Sequence, residues 1–144
     1  LYPMDSAFKR RWDWEYIPIN YSRDEEKNPS AKFVVNISND ESFKWIDFIE
    51  KVNKEISDND NLGMDKCIGN YFIKPENNII GINEFINKAI FYLWNDVFKD
   101  EMEQDNIFQN NVKYENFFPI DNENGKLEVR NVLEYLEIDY KSSN

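Results

Sequence analysis

Three consecutive cations near the N-terminus are the first residues whose type suggests chemistry. Lys9, Arg10 and Arg11 end a short helical pattern over residues 4–11, where positive charge suits the negative end of the helix dipole. Two interpretations fit the triplet: a solvated helix end, or a contact to a phosphate. Arginine suits the second, because its planar and permanently charged guanidinium can stabilise charge that develops on a transferring phosphoryl group. The triplet taken alone favours the solvated helix end.

A second candidate is the segment DKCIGNYF, from Asp65 to Phe72. Gly69 permits backbone conformations that other residues avoid, and Lys66 is long enough to reach an anion. Taken in isolation, the segment is more typical of a structural turn with a surface lysine. Cys67 is more typical of a small buried hydrophobic residue than of a nucleophile, because the chain has no histidine to activate it.

Carboxylates in polar loops are a third candidate, since paired carboxylates can do acid–base work or hold a metal ion. The residues are Asp24, Glu25, Glu26, Asp58 and Asp60. Residues 58–61 resemble the opening of a calcium loop, but Gly63 comes two places late and no glutamate occupies the twelfth position. The pattern favours solvated loops, and no metal site is predicted.

The composition excludes several functional classes. The 144 residues carry 17 Lys+Arg and 28 Asp+Glu, a net charge of −11, which argues against a surface that tracks nucleic-acid phosphates. One cysteine and no histidine exclude an intramolecular disulfide, the usual Cys/His zinc site and a Ser-His-Asp triad. The four glycines form no phosphate-binding loop. No apolar run is long enough to span a membrane, so a soluble cytoplasmic protein is expected.

Hydrophobic periodicity predicts the elements that position these residues. Trp45, Ile49, Val52 and Ile56 recur at helical spacing after Asn39 and Asp40, either of which could cap a helix. A second helix is predicted to start at a cap on Asn83. The predicted elements are strands over 12–19 and 31–38, a loop over 20–31, helices over 41–57, 83–101 and 126–138, and a small hairpin or extended excursion over 64–81.

The order of two motifs resembles one protein family. MDSAFKRRWDWEYIPI, residues 4–19, resembles the stretch of an AAA+ ATPase in which a helix delivers the arginine finger and leads into the last strand of the α/β core. DKCIGNYF followed by YLWNDVF, which ends at residue 98, resembles the lid of the McrB-type branch, the motor subunits of modification-dependent restriction systems. The resemblance covers residues 1–101. Walker A, Walker B and sensor 1 would lie before Leu1, so the chain is predicted to be the C-terminal part of a longer protein.

The resemblance implies a fold and a set of site residues. It implies a mainly α fold, in which a helical lid over residues 39–144 follows the end of an α/β core over 1–22 and a linker over 23–38. Arg10 and Arg11 would be catalytic, as the arginine finger and its supporting residue. Lys66 and Asn70 would contact the nucleotide, although Asn70 stands where the family often has histidine.

The function implied is ring assembly and nucleotide hydrolysis coupled to DNA restriction or translocation. ATP or GTP with Mg²⁺ would bind the complete protein, while this segment alone would bind neither and hydrolyse nothing. The implied partners are further copies of the chain, forming a hexameric ring, and a nuclease subunit, with DNA contacted only through other parts of the system and no membrane. The alternative is a freestanding acidic, helical protein-interaction module without nucleotide chemistry.

Overall fold

A three-stranded mixed sheet forms one side of the structure, a computed structural model that describes residues 18–59, 62–99, 106–108, 114–118 and 124–141. The strands are β1 (Val34–Ser38), β2 (Glu41–Lys44) and β3 (Ile79–Gly81), and their order in the sheet is β2-β1-β3. β1 pairs antiparallel with β2 through a two-residue turn and parallel with β3. Alternation fixes the face of β1, because Val35 and Ile37 are buried whereas Asn36 is exposed.

Three helices share one hydrophobic core with the sheet. They are α1 (Trp45–Asp58), α2 (residues 82–97) and α3 (Asn124–Tyr135). Single turns of 3₁₀ helix lie at Pro29–Lys32, Met64–Lys66 and Tyr114–Phe117. No helix within these described ranges is long and apolar enough to cross a membrane.

Most of α2 is wound as π-helix. A single α-turn at Ile82–Glu84 leads into π-helical stretches at Phe85–Ile90 and Leu93–Val97. The N–H of Phe98 donates to the carbonyl of Leu93 at 2.8 Å, the five-residue spacing of this winding. Side chains on α2 therefore advance by less than 100° per residue, and the helix presents a wide apolar face to the core.

The core is centred on a cluster of aromatic rings. Phe85 of α2 lies with its ring centroid 4.9 Å from that of Phe48 in α1 and 5.3 Å from that of Phe43 in β2. Trp45, which is fully buried, stacks on Phe48 at 5.9 Å. Edge-to-face and stacked contacts of this kind add to the burial of large rings, so the cluster fixes sheet and helices together.

The C-terminal helix is attached to β2 by polar contacts. The guanidinium of Arg130 donates from Nε to Glu41 Oε2 at 2.8 Å and from Nη2 to Glu41 Oε1 at 2.6 Å. Both side chains are largely buried, with 18% and 19% exposed. The N–H of Ser42 donates to the carbonyl of Tyr140, and Tyr140 Oη donates to Glu134 Oε2 at 2.6 Å.

The expected mainly α lid fold is wrong, because the structure is an α/β mixture built on the mixed sheet. β2 occupies the start of the helix predicted over 41–57: Asn39 and Asp40 turn the chain between two strands, and Phe43 points into the core. α1 begins only at Trp45, whose N–H donates to the carbonyl of Phe33. The hairpin expected within residues 64–81 is also wrong, because β3 pairs with β1 instead.

Other predicted elements are confirmed in part. The strand expected over 31–38 is present as β1, and the apolar stripes of α1 and α2 are buried. The third stripe is buried from Val129 onwards, whereas Leu127 is exposed. The helix over 4–11 and the strand over 12–19 fall almost entirely outside the described residues. The division into residues 1–22, 23–38 and 39–144 stays a prediction.

Candidate functional site

Lys66 lies on the 3₁₀ turn Met64–Lys66, whose last two residues begin the DKCIGNYF loop, and it is tied to α2. Its Nζ donates to the carbonyl of Asp96 at 3.2 Å, and its own carbonyl accepts a hydrogen bond from Tyr92 Oη at 2.8 Å. Burial raises the pKa of the Tyr92 phenol, and the nearby charges of Asp96 and Asp65 raise it further. The phenol therefore stays protonated as a donor, and the loop is fastened to the second half of α2.

Asn70 lies four residues further along and makes contacts on a different side. Its Nδ2 donates to the carbonyl of Asn20 at 2.7 Å and to Ser30 Oγ at 2.9 Å, while its Oδ1 accepts from the N–H of Asn20 at 2.8 Å. Its backbone carbonyl accepts from the indole N–H of Trp45 at 2.9 Å. Both amide protons of Asn70 are thus engaged within the chain, and the side chain pairs with the backbone of residue 20 as a strand neighbour would.

Arg10 and Arg11 lie outside the described residues, so their contact with a nucleotide stays a prediction. Lys66 and Asn70 share one loop, but each engages a different part of the fold, Lys66 on α2 and Asn70 on residues 20–30. Their roles in nucleotide binding also stay predictions.

A polar joint that the sequence did not point to links Arg23 to Asp47 and Glu50 of α1. Arg23 Nη2 donates to Asp47 Oδ1 at 2.6 Å and to Glu50 Oε1 at 2.9 Å, and its Nη1 donates to the carbonyl of Tyr21 at 2.8 Å. The hydrogen bond to Glu50, followed by that to Asp47, raises the pKa of Arg23 above its ordinary value. Asp47 and Glu50 are three residues apart on α1, and that spacing was the available signal, since it places two carboxylates on one helix face.

Asn53 continues this face of α1 into the interior. Its Nδ2 donates to Tyr21 Oη at 3.0 Å and to the carbonyl of Ile68 at 2.9 Å, and its Oδ1 accepts from the N–H of Ile68 at 2.7 Å. The side chain is 2% exposed. A buried amide with both ends satisfied holds the DKCIGNYF loop to α1 without an orphaned polar atom.

Cys67 is half-buried beside this amide. Its Sγ lies 3.8 Å from the carbonyl oxygen of Asn53 and from Ser57 Oγ. Burial is the main cause of a raised thiol pKa, with a smaller contribution from the charge of Asp65. A thiol in this setting is a poor nucleophile, because the thiolate is the reactive form.

Two of the candidate carboxylates, Asp24 and Asp58, serve local structure, and Asp60 lies outside the described residues. Asp24 accepts a hydrogen bond from the N–H of Glu26 at 3.0 Å and closes the turn that leads to Asn28. Asp58 pairs with Lys54 on its own helix at 2.8 Å. Over the part of the chain that the structure describes, no three Asp, Glu, Cys or His side chains converge as metal ligands would.

Comparison with known proteins gives one informative relative. The chain is 35% identical over 98 residues to YdiS of Bacillus subtilis (strain 168), a component of the type II restriction enzyme BsuMI. The aligned stretch covers 67% of this chain and 27% of the relative, so the chain spans only about a quarter of that protein's length. No protein-family model matches the chain. No solved structure matches it either.

These findings correct the resemblance drawn from the motifs. The prediction that the chain belongs to the McrB-type branch of AAA+ ATPases is wrong, because no family model matches the chain and its relative is a type II restriction-enzyme component. The contacts give a physical reason for the overinterpretation. Asn53, Asn70 and Tyr92 hold the DKCIGNYF loop against its neighbours, so this packing accounts for much of the motif without a nucleotide.

Proposed function

We propose that this chain is a segment of a restriction-enzyme component and takes part in the restriction of DNA. The observation that supports this proposal is the 35% identity over 98 residues to a component of a type II restriction enzyme. The charge of −11 argues against contacts with DNA phosphates and supports contacts with protein instead, so DNA would be bound by other parts of the system.

The finer proposal is that the segment closes over a nucleotide bound elsewhere in the complete component. Arg10 and Arg11 would meet the γ-phosphate of ATP or GTP across a subunit boundary in a ring, and Lys66 would lie at the rim of the site. Cations that engage mainly as charge develops lower the barrier more than they strengthen ground-state binding. The isolated chain would not hydrolyse nucleotide, because its four glycines form no phosphate-binding loop.

The test uses the complete component with Arg10→Ala and Arg11→Ala, and with Lys9→Ala as the matched control. An arginine finger is worth about 10³–10⁵ in rate, so most ATP or GTP hydrolysis should be lost with nucleotide affinity changed by less than about tenfold. Restriction should fall together with hydrolysis, so phage with unmodified DNA should plate with higher efficiency. Near wild-type hydrolysis by both alanine variants would refute the role of the arginines.

A second candidate function is a protein-interaction module without nucleotide chemistry. Large exposed hydrophobic side chains are the observation behind it, since protein contacts use apolar surface where such side chains adjoin one another. They are Tyr71, Phe72, Ile79, Phe91, Phe118 and Leu127, between 37% and 51% exposed. Under this alternative the complete component needs the segment for restriction, but restriction is indifferent to Arg10→Ala and Arg11→Ala. The same phage assay therefore separates the two functions.

A further inference from the structure

Three aromatic rings form an exposed row where α2 meets the turn Tyr114–Phe117. The centroid of the Tyr114 ring lies 5.3 Å from those of Phe91 and Phe118, and both pairs are edge-to-face, at 68° and 76°. Phe91 is 44% exposed and Phe118 is 37% exposed, while Tyr114 is half-buried. Because the three rings adjoin, they make one apolar patch rather than scattered side chains, and patches of this kind mark contact surfaces.

The aromatic row is held in place from the core. Phe117 is fully buried, and the centroid of its ring lies 6.2 Å from that of Tyr114 and 6.1 Å from that of Phe108. Tyr114 Oη donates to Oδ1 of Asn87 on α2 at 3.4 Å. The rings are therefore arranged before any partner arrives, which lowers the entropy that binding must spend on ordering them.

Phe91 stands on the face of α2 that the fold leaves in water. Asn87, Lys88 and Asn95, which lie three or four residues before and after it, are all exposed. A helix face of this kind normally carries polar side chains, so packing within the chain gives no reason for a large ring at this position. The ring is available for a contact outside the chain.

The charges around the aromatic row favour a cation as its partner. Glu115 is exposed beside Tyr114, and the ammonium of Lys88 is paired with Glu84 at 3.1 Å. The whole chain carries −11, so its field attracts positively charged segments. The faces of aromatic rings attract cations as well, and the planar guanidinium of arginine stacks on them. The rings and the net charge thus select the same chemical group.

We propose that Phe91, Tyr114 and Phe118 form a docking surface for a positively charged segment of a partner protein, which places arginine side chains on the three rings. The proposal rests on the part of the proposed function that gives this segment contacts with protein, and it does not depend on nucleotide hydrolysis. A second copy of the chain is a poor occupant, because two copies that each carry −11 repel one another.

The docking surface is tested by calorimetric titration of this chain with a synthetic peptide of alternating arginine and serine residues, in about 0.15 M salt. Binding should be saturable, and a lysine peptide of equal charge should bind about three- to tenfold more weakly, because an ammonium does not stack on a ring. Phe91→Ala and Phe118→Ala should each raise Kd about tenfold. Failure of the arginine peptide to bind, or equal Kd values for wild type and both alanine variants, would overturn the proposal.

Matched variants separate the row from bulk charge and bulk hydrophobicity. Ile79→Ala removes an exposed apolar side chain on β3, 47% exposed, and should leave Kd unchanged. Glu115→Gln should raise Kd about threefold, whereas Glu76→Gln changes the net charge equally and should have no effect. An equal effect of both glutamine variants would count against a local site. Cooperative unfolding should be retained throughout, since the substituted side chains are exposed.

Two further measurements decide the occupant and the link to restriction. Sedimentation equilibrium of the chain alone should give a monomer, and a dimer that Phe91→Ala dissociates would overturn the choice of a basic partner. In the complete component, Phe91→Ala combined with Phe118→Ala should raise the plating efficiency of phage with unmodified DNA. If the peptide does not bind while wild type restricts, the surface is refuted and the proposed function stands. If binding depends on the row but restriction ignores the double variant, the surface is confirmed and its role in restriction is refuted.

Discussion

Removing the charge of Glu41 should destabilise the protein more than a single polar substitution usually does. The carboxylate accepts two hydrogen bonds from Arg130, at 2.6 and 2.8 Å, and one from Ser38 Oγ at 2.9 Å. Exposed ion pairs contribute about 0–1 kcal/mol, whereas breaking a fully buried pair costs about 3–5 kcal/mol. With about four-fifths of both side chains buried, Glu41→Gln should cost about 2–3 kcal/mol of the free energy of unfolding.

Urea unfolding at neutral pH measures this cost, with Glu84→Gln as the control. Glu84 pairs with Lys88 at 3.1 Å in an exposed i,i+4 arrangement, so the same substitution should cost about 0.5 kcal/mol or less there. For 144 residues the loss at Glu41 should lower Tm by about 5–10 °C. If Glu41→Gln were no more destabilising than Glu84→Gln, the attachment of α3 through this pair would be refuted.

The pH dependence provides a second check on the same residue. The hydrogen bond from Arg130 is the main cause that lowers the pKa of Glu41 below its ordinary value, with Ser38 and Lys126 also lowering it. Because the folded pKa lies below the unfolded value of about 4.3, the stabilisation is complete above that pH. It is lost as the pH falls through the folded pKa. The difference between wild type and Glu41→Gln should therefore shrink in acid, and a constant difference would contradict the assignment.

Three further outcomes follow from individual contacts. Asn53→Ala removes the partner of the Ile68 N–H and carbonyl and should cost about 2–4 kcal/mol in urea unfolding. The hydrogen bond to Glu134 raises the pKa of Tyr140 to about 12, above the unfolded value near 10. The stability that this hydrogen bond contributes is therefore complete below about pH 10 and is lost as the pH rises through about 12. Tyr140→Phe should thus cost about 1–2 kcal/mol at pH 7 and nothing above the folded pKa, as denaturation at a series of pH values would show. Glu137 has a φ of 60° after the end of α3, so Glu137→Gly should raise Tm, corresponding to about 0.5–1 kcal/mol.

The sequence predicted those parts of the fold in which apolar residues recur at a regular local spacing. The stripe of Trp45, Ile49, Val52 and Ile56 faces the core in α1, because residues spaced by three or four share a helix face and must be buried together. The strand β2 and the pairing of β3 with β1 were not predicted, for the opposite reason. β2 carries one buried apolar side chain, Phe43, and β3 has three residues, so neither contains a full period of alternation.

The contact partners of Lys66, Asn70 and Arg23 could not be predicted either. Residue type predicted an anion contact for Lys66, and the family resemblance predicted nucleotide contacts for Lys66 and Asn70, yet their observed partners lie 30 and 50 residues away in the sequence. Asn70 pairs with a backbone that the periodicity assigned to a loop, and Arg23 was passed over because one arginine in an acidic loop has no pattern. Non-local pairing is set by tertiary packing, and propensity does not encode it.

The DKCIGNYF loop shows how a motif can be specified by packing and still matter for chemistry. The Asn70 carbonyl accepts from Trp45, and its amide pairs with Asn20, so a change at this residue would disturb the start of α1 and the segment before it together. If the loop has only a packing role, such a change lowers the free energy of unfolding, and kcat falls only as far as the lost stability explains. A loop that also brings Lys66 to a nucleotide predicts loss of kcat beyond what the lost stability explains. Lys66→Ala separates these two cases best, because the hydrogen bond from its ammonium to the Asp96 carbonyl is exposed, and exposed substitutions usually change the free energy of unfolding by about 0.5 kcal/mol or less.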